Sequence, residues 1–425
     1  MDQSSKKILG LALGASLFTT SAFATNGMFL IGSGTKSRGM GGAGIALPLD
    51  STSVVTNPAL ITHIDNRFDV GADIFMPFPK ASLGDQVNIE SKAGMGVDNL
   101  FIMPIMSIVY KYNNDITLGF AAAPAGGGGA EYQPNLFNAQ SSALDPNDKL
   151  VVDLMIMHMT PSIAYKLDDK QSVAASLVIA AQRFKAEGLE LFDTFTQTQT
   201  SDNLSAQGHD YSYGAGIRLA WHGQVMEQLR LGAVYTSRIY MSKFDKYNEL
   251  FAEGGDIDTP STMGVGLAYA HNDDLDILFD ITYTMYEDVK AIGNTGPNIT
   301  GVPLGDESRR LGLENGLGFG WKNQLVFKLG ANYRYSDDWT LRTGWNYGES
   351  PIQEDREIIF NIAAPAVTQN HLTVGATYKI NANSDVSFSY MHAFEFEQYG
   401  PTYIGNNGTI SMSQEALGFS YSSSF

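Results

Sequence analysis

Leu417-Gly418-Phe419-Ser420-Tyr421-Ser422-Ser423-Ser424-Phe425 ends the chain, and its two faces differ. Leu417, Phe419, Tyr421, Ser423 and Phe425 form a mostly apolar set, while Gly418, Ser420, Ser422 and Ser424 form a small polar one. Period-two alternation of this kind predicts a β-strand between two different environments. The pattern returns along the chain. Tyr211, Tyr213, Ala215, Ile217, Leu219 and Trp221 oppose Ser212, Gly214, Gly216, Arg218 and Ala220. Leu275, Ile277, Phe279, Ile281, Tyr283 and Met285 oppose Asp276, Leu278, Asp280, Thr282 and Thr284. A helix would mix each pair of sets, because it brings together residues three and four apart.

The alternation predicts fourteen strands, at 67–77, 101–112, 115–124, 152–167, 171–185, 208–221, 227–241, 260–271, 274–290, 322–335, 338–349, 369–380, 384–397 and 413–425. Residues 82–98 fit the scheme least well. An even number of long strands suits a closed barrel in a bacterial outer membrane, with the apolar set on lipid and the small set on the lumen. A soluble sandwich is the competing all-β reading, but its strands are ordinarily shorter. The connections alternate in length. Asn113-Asn114, Asp168-Asp169, Asp273 and Ser336-Asp337 read as tight turns, expected on the periplasmic side. The long segments 125–151, 186–207, 242–259, 291–321, 350–368 and 398–412 are expected outside.

The beginning of the chain reads as an export signal over residues 1–24. Lys6 and Lys7 precede an apolar run from Ile8 to Thr20, and Ala22 and Ala24 have cleavage-site spacing. That run is shorter than the roughly 20 residues that span a bilayer as a helix. Later runs are no better, and mean hydropathy is only -0.11. The chain has no cysteine, so no disulfide framework or thiolate chemistry is available. A net charge of -18 opposes nonspecific nucleic-acid binding, which needs a basic surface.

Residues 25–66 carry a different signature. Gly27, Gly32, Gly34, Gly39, Gly41, Gly42 and Gly44 precede Asn57-Pro58-Ala59, with Phe29, Ile31, Met40, Ile45 and Leu60 as packing surface. Glycines at this density permit tight turns and close backbone contact. Such a segment, folded into a polar lumen, would convert an open pore into a gated one; an external tether is the plainer reading. Thr25-Asn26-Gly27-Met28-Phe29, then Gly34-Thr35-Lys36-Ser37-Arg38-Gly39-Met40-Gly41-Gly42-Ala43-Gly44, then Thr56-Asn57-Pro58-Ala59-Leu60 resemble the N-terminal hatch of the FadL/TodX/OmpP1 family. Trp339 to Gly344 and Ser350-Pro351-Ile352 resemble that family's late strand and loop.

The resemblance implies a fourteen-stranded transmembrane barrel over 67–425 with a lumen hatch over 25–66. It implies outer-membrane passage of long-chain fatty acids, with aromatic or aliphatic hydrocarbons as the alternative cargo. Lipid and lipopolysaccharide would surround a monomer, inserted by the barrel-assembly machinery. Gly27, Gly39, Gly41, Gly42, Asn57, Pro58 and Ala59 are the expected hatch and gating residues. The resemblance also implies a kink in the third strand that opens the wall sideways. Pro124, Gly126 and Gly127, at and just past the expected end of that strand, are its candidates, since proline breaks a ladder and glycine tolerates unusual angles.

Cargo contacts are read from side-chain chemistry. Met155 and Met157 offer an adaptable apolar surface, and Leu191, Phe192 and Phe195 a second one. Arg218 and Arg342 lie in polar alternation sets, where either could bind a carboxylate or salt-bridge to the wall. Seven scattered histidines make no metal signature, and no phosphate-binding loop occurs. No cofactor is expected. An adhesin or structural barrel and a barrel lipid hydrolase are the alternatives from other classes.

Overall fold

The alternating segments form the wall of one closed barrel in the computed structural model. It describes residues 26–84, 88–138, 147–200, 202–297, 306–353, 356–402 and 405–425. The expected export signal lies outside them. The wall strands are β1 (Arg67–Leu83), β2 (Phe101–Lys111), β3 (Ile116–Tyr132), β4 (Leu150–Lys166), β5 (Gln171–Glu187), β6 (Asp210–Gln224) and β7 (Leu229–Thr236). They continue as β8 (Thr262–Ala270), β9 (Leu275–Thr284), β10 (Gln324–Arg334), β11 (Trp339–Gly348), β12 (Asn370–Asn381), β13 (Ser384–Pro401) and β14 (Asn407–Ser424). Neighbours in sequence pair antiparallel, and β14 closes on β1 from Arg67↔Ser424 to Leu83↔Gly408. Closure leaves no sheet edge, which a bilayer would not tolerate. Among the described residues no helix is long and apolar enough to cross a membrane.

All fourteen expected strands form, several with changed extents: β1 runs past residue 77 to Leu83 and β13 past residue 397 to Pro401. β3 does not stop at residue 124 but runs to Tyr132. β7 ends at Thr236; Tyr240–Met241 then pairs with β6 after a break. β9 ends at Thr284, so Tyr286 belongs to a loop rather than to the wall. β14 begins at Asn407, earlier than its alternation shows. Within 82–98, Ile89–Glu90 forms a short strand on β1.

Strand alternation sets the two faces. Ile163 and Tyr165 on β4, Ile217 and Leu219 on β6, and Leu372 and Val374 on β12 point outward and are exposed. A belt of large apolar side chains on the outer face of a closed barrel suits contact with lipid. The inner face is lined in part by glycine, because residues 26–64 fill the lumen there. A Cβ on Gly344 of β11 would collide with the Met40 backbone, and one on Gly232 of β7 with Ile45.

The lumen segment is tied to the wall on several sides. Gly44 and Ile45 N–H groups donate to the Asp280 carboxylate at 2.8 and 3.0 Å. Gly41 N–H donates to Thr373 Oγ1, and Asn346 Nδ2 donates to Gly41 O. Lys36 pairs with Asp385 at 2.9 Å and Arg38 with Asp73 at 2.6 Å. Ser172 of β5 donates to Ala59 O at 2.8 Å.

Candidate functional site

The short helix Pro58–His63 ends the lumen segment, and Asn57 caps it. Asn57 Oδ1 accepts from Ala59 N–H at 3.0 Å. Its Nδ2 donates to Ile45 O at 2.7 Å and to Trp221 O of β6 at 3.1 Å. One fully buried amide therefore joins two parts of the segment and the wall. Pro58 sits at the first helical position, where its fixed torsion suits the turn and its missing N–H costs nothing. Gly42 has φ +80°, and a Cβ there would collide with Ile31 O. Gly39 meets Gly375 of β12 backbone to backbone. The glycine signature thus reflects close approach as much as turning.

The other end of the segment lies against a defect in the wall. The β2–β3 ladder runs only from Met106↔Ala122 to Lys111↔Thr117. Beyond Ala122, β2 stays with β1 and β3 stays with β4. Higher up, Lys92 N–H donates to Glu131 O at 2.8 Å, and Glu131 N–H donates to Ser91 Oγ at 3.0 Å. Between these levels residues 123–130 of β3 have no ladder partner in β2. The register shifts between Pro124 and Gly126, where proline cannot donate. The candidates for a lateral opening therefore sit at a bulge inside β3, not at its end. Met28 to Leu30 of the lumen segment bond there instead. Gly127 N–H donates to Met28 O at 3.0 Å, and Leu30 N–H donates to Ala125 O at 3.3 Å.

Met155 and Met157 face Gly127 and Pro124 in the β3–β4 register. They share the outward face of Ile163 and Tyr165 yet are each only 7% exposed. They flank the outer side of the bulge. Sequence placed these two groups in separate roles, and the register brings them together.

An inner cavity of ≈ 180 Å³ lies beside the bulge. Phe29, Leu30, Ile31, Ile45 and Val55 of the lumen segment form one side; His158, Arg218, Val234, Thr236 and Lys328 form the other. Arg218 Nε donates to Thr236 Oγ1 at 2.9 Å, and its Nη1 donates to Val55 O at 2.6 Å. Lys328 Nζ donates to Ile31 O at 2.8 Å. Among the described residues neither cation forms a salt bridge. Asp280 stands opposite Lys328 in register, but its Oδ2 is turned to the Gly44 and Ile45 N–H groups. A buried guanidinium held only by neutral oxygens keeps its charge available to an anion.

Arg342 is elsewhere. It donates to Thr377 Oγ1 at 2.6 Å and lines a polar cavity of ≈ 810 Å³ at the short-turn end, with His63, His222 and Asp273. Phe192 lines an outer apolar pocket among the long loops, with Phe137, Phe184, Phe251, Phe319 and Phe360. Leu191 and Phe195 pack against the same cluster. Of the expected cargo contacts, only Arg218 lines the inner cavity. Phe319, Trp321 and Phe360 escaped sequence reading because their loops carry no alternation; Tyr286 escaped it because it was read as strand.

A closed barrel with an apolar outer belt, a filled lumen, an apolar outer pocket and an inner cavity beside a gap in the wall has the build of an outer-membrane transport protein. A family model for the outer membrane protein transport protein family (OMPP1/FadL/TodX) matches residues 11–424, and the chain belongs to this family of transporters for hydrophobic compounds. The chain is 24% identical over 445 residues to the putative outer membrane protein NMB0088 of Neisseria meningitidis serogroup B, across 92% of this chain and 91% of that one. It is 22% identical over 462 residues to the long-chain fatty acid transport protein of Escherichia coli O6:H1, across 93% and 96%. In structure it is similar to the toluene transporter TodX of Pseudomonas putida, with TM-score 0.69, 18% identity and coverage of 93% and 99%. A FadL homologue of Pseudomonas aeruginosa is similar at TM-score 0.69 and 16% identity, with coverage of 94% and 100%.

Proposed function

We propose that the cargo is a long-chain fatty acid, and that it crosses as a passenger rather than as a substrate for chemistry. The outer apolar pocket takes the chain from outside. The inner cavity then receives the carboxylate at Arg218, while Phe29, Ile31 and Ile45 face the tail. The exit is sideways, between β2 and β3 above Ala122, once Asn26–Ile31 withdraws from the bulge. In this reading residues 25–66 are a hatch. Gly27, Gly39, Gly41 and Gly42 allow its close fit, and Asn57, Pro58 and Ala59 anchor its far end. Pro124, Gly126 and Gly127 frame the lateral exit, with Met155 and Met157 at its outer mouth.

One observation carries the choice of cargo. Arg218 is 7% exposed, lines the inner cavity and has no carboxylate partner among the described residues. A neutral hydrocarbon would leave that charge buried and unanswered. Aromatic or aliphatic hydrocarbons remain the second reading, favoured by the wholly apolar walls of the outer pocket. The E. coli relative is named for long-chain fatty acid transport and the P. putida structure for toluene. Neither an adhesin nor a hydrolase has any use for a cation placed beside a lateral gap.

Arg218→Met tests the proposal by removing the charge while keeping an apolar stem. Uptake of oleate is expected to fall about tenfold or more, the equivalent of one charge-assisted hydrogen bond. Toluene uptake is expected to stay within about twofold, since no charged contact is lost. The measurement is competitive uptake in deletion cells carrying either form. Equal loss of both cargoes would assign Arg218 to structure alone. Unchanged uptake of both in the deletion strain itself would remove transport of either.

A further inference from the structure

A continuous run of aromatic rings joins the outer pocket to the lumen segment. Phe192 meets Phe360 edge-on at 4.7 Å between centroids, and Phe360 lies 6.3 Å from Phe319. Phe319 is 6.2 Å from Trp321, which stands edge-on to Tyr286 at 5.1 Å. Tyr286 then stacks on Phe29 at 6.3 Å. Phe192, Phe319 and Phe360 line the outer pocket, and Phe29 lines the inner cavity. Trp321 Nε1 also donates to Asn361 Oδ1 at 2.6 Å, tying it to the turn that carries Phe360.

Tyr286 does more than stack. Its hydroxyl donates to Asn26 O at 2.8 Å and accepts from Met28 N–H at 3.1 Å. Gly27, between them, has φ +60°, and any Cβ there would collide with the phenol oxygen. The chain therefore wraps around this one hydroxyl. Tyr286 is fully buried, and burial pushes its ionisation upward, so the phenol stays neutral and keeps its donor. The bonds from Met28 and Leu30 to the β3 bulge come directly after this wrap.

The outer pocket has a volume of ≈ 40 Å³ as it stands. That is well below the ~150 Å³ of a cavity that takes up benzene, so an alkyl chain that enters must push against the rings that line it. Densely packed rings transmit such a displacement to their neighbours. We propose that Tyr286 is the positioning residue of the gate: it latches Asn26–Met28, and filling of the outer pocket releases the latch through Phe319, Phe360 and Trp321. This rests on the reading of Asn26–Ile31 as the gate. Outer occupancy and inner opening thereby become one event, so the lateral gap is uncovered only when cargo is present.

The chain has no cysteine, so a single Asn26→Cys reports on the gate without background. Labelling by a water-soluble maleimide is measured on protein reconstituted in lipid, with and without decane, a probe that cannot engage Arg218. Decane is expected to speed labelling of the parent. Tyr286→Phe keeps the ring and loses both hydrogen bonds; its basal rate is expected to rise about tenfold, with little further response to decane. Phe319→Ala is expected to keep the slow basal rate and lose the response. Heat-modifiable migration of each variant shows that the barrel is folded. A basal rate in Tyr286→Phe equal to the parent's would overturn the latch. So would an equal acceleration by decane in both, which leaves the gate reading standing. If the introduced thiol stays unlabelled in every variant and with decane, the gate reading itself falls.

Discussion

Arg38→Ala is expected to release the lumen segment from the wall while the barrel itself stays assembled. Arg38 and Asp73 are each 4% exposed at the side chain and 2.6 Å apart. Arg38 also donates to Gly32 O at 3.1 Å, so it joins two turns of the segment as well as segment to wall. Removing the guanidinium leaves the Asp73 carboxylate buried without its cation. Loss of one member of a buried pair costs about 3–5 kcal/mol, more than the pair's net worth, because the remaining charge has lost its water too. Asp73 lies on β1, which keeps its ladders to both neighbours, so the cost falls on the segment. Ion conductance through planar bilayers reads the result: the variant should conduct where the parent is closed. Arg38→Met combined with Asp73→Leu should recover much of the closure, since no charge is then stranded. Closed channels in Arg38→Ala would show that the remaining contacts hold the segment without this pair.

Asn57→Ala is expected to have a comparable effect at the segment's other end, larger than that of Pro58→Gly. The alanine removes the helix cap on Ala59 N–H, leaves Ile45 O without this donor in a buried place, and takes a donor from the half-buried Trp221 O. A lost cap costs about 1 kcal/mol, and each stranded buried group about 1–3 kcal/mol. Pro58→Gly forfeits no hydrogen bond; it mainly gives back about 0.4–1 kcal/mol of chain entropy. Urea titration of the purified barrel, followed by a cysteine probe placed in the segment, separates the two. The expected order of segment release is Asn57→Ala first, then Pro58→Gly, then the parent. Release of Pro58→Gly before Asn57→Ala would mean that backbone restriction, not the amide's bonds, anchors the segment.

The wall was largely legible. Period-two alternation reports which face a residue takes, and it located all fourteen strands. It erred where a strand leaves the apolar belt. Above the belt the outer face no longer needs large apolar side chains, so β14 starts earlier and β3 runs later than the pattern shows. The inward glycines were read only as a small set. Their reason is the lumen segment, whose backbone passes Gly232 and Gly344 too closely for a side chain.

The site was legible only in parts. Arg218 and Arg342 looked equivalent, since both sit in polar sets. They line different cavities, because alternation gives the face of a strand but not what stands across the lumen from it. Pro124 and the methionines were seen, but as an ending and a separate patch. Antiparallel register sets Met157 opposite Pro124 and makes them two sides of one gap. Tyr286 was invisible as anything but wall, since its two bonds are to residues 258 and 260 positions away.

By itself, then, the chain's chemistry determined a closed barrel and a glycine-rich segment able to pack tightly. These follow from local repetition, which needs no partner to be read. The tertiary structure alone decided which arginine lines the cavity beside the gap, where the wall lacks a ladder, and which loop residue bonds the segment next to that gap. Those depend on groups far apart in sequence meeting inside a lumen, where burial gives each unmet charge or amide a cost of several kcal/mol, roughly.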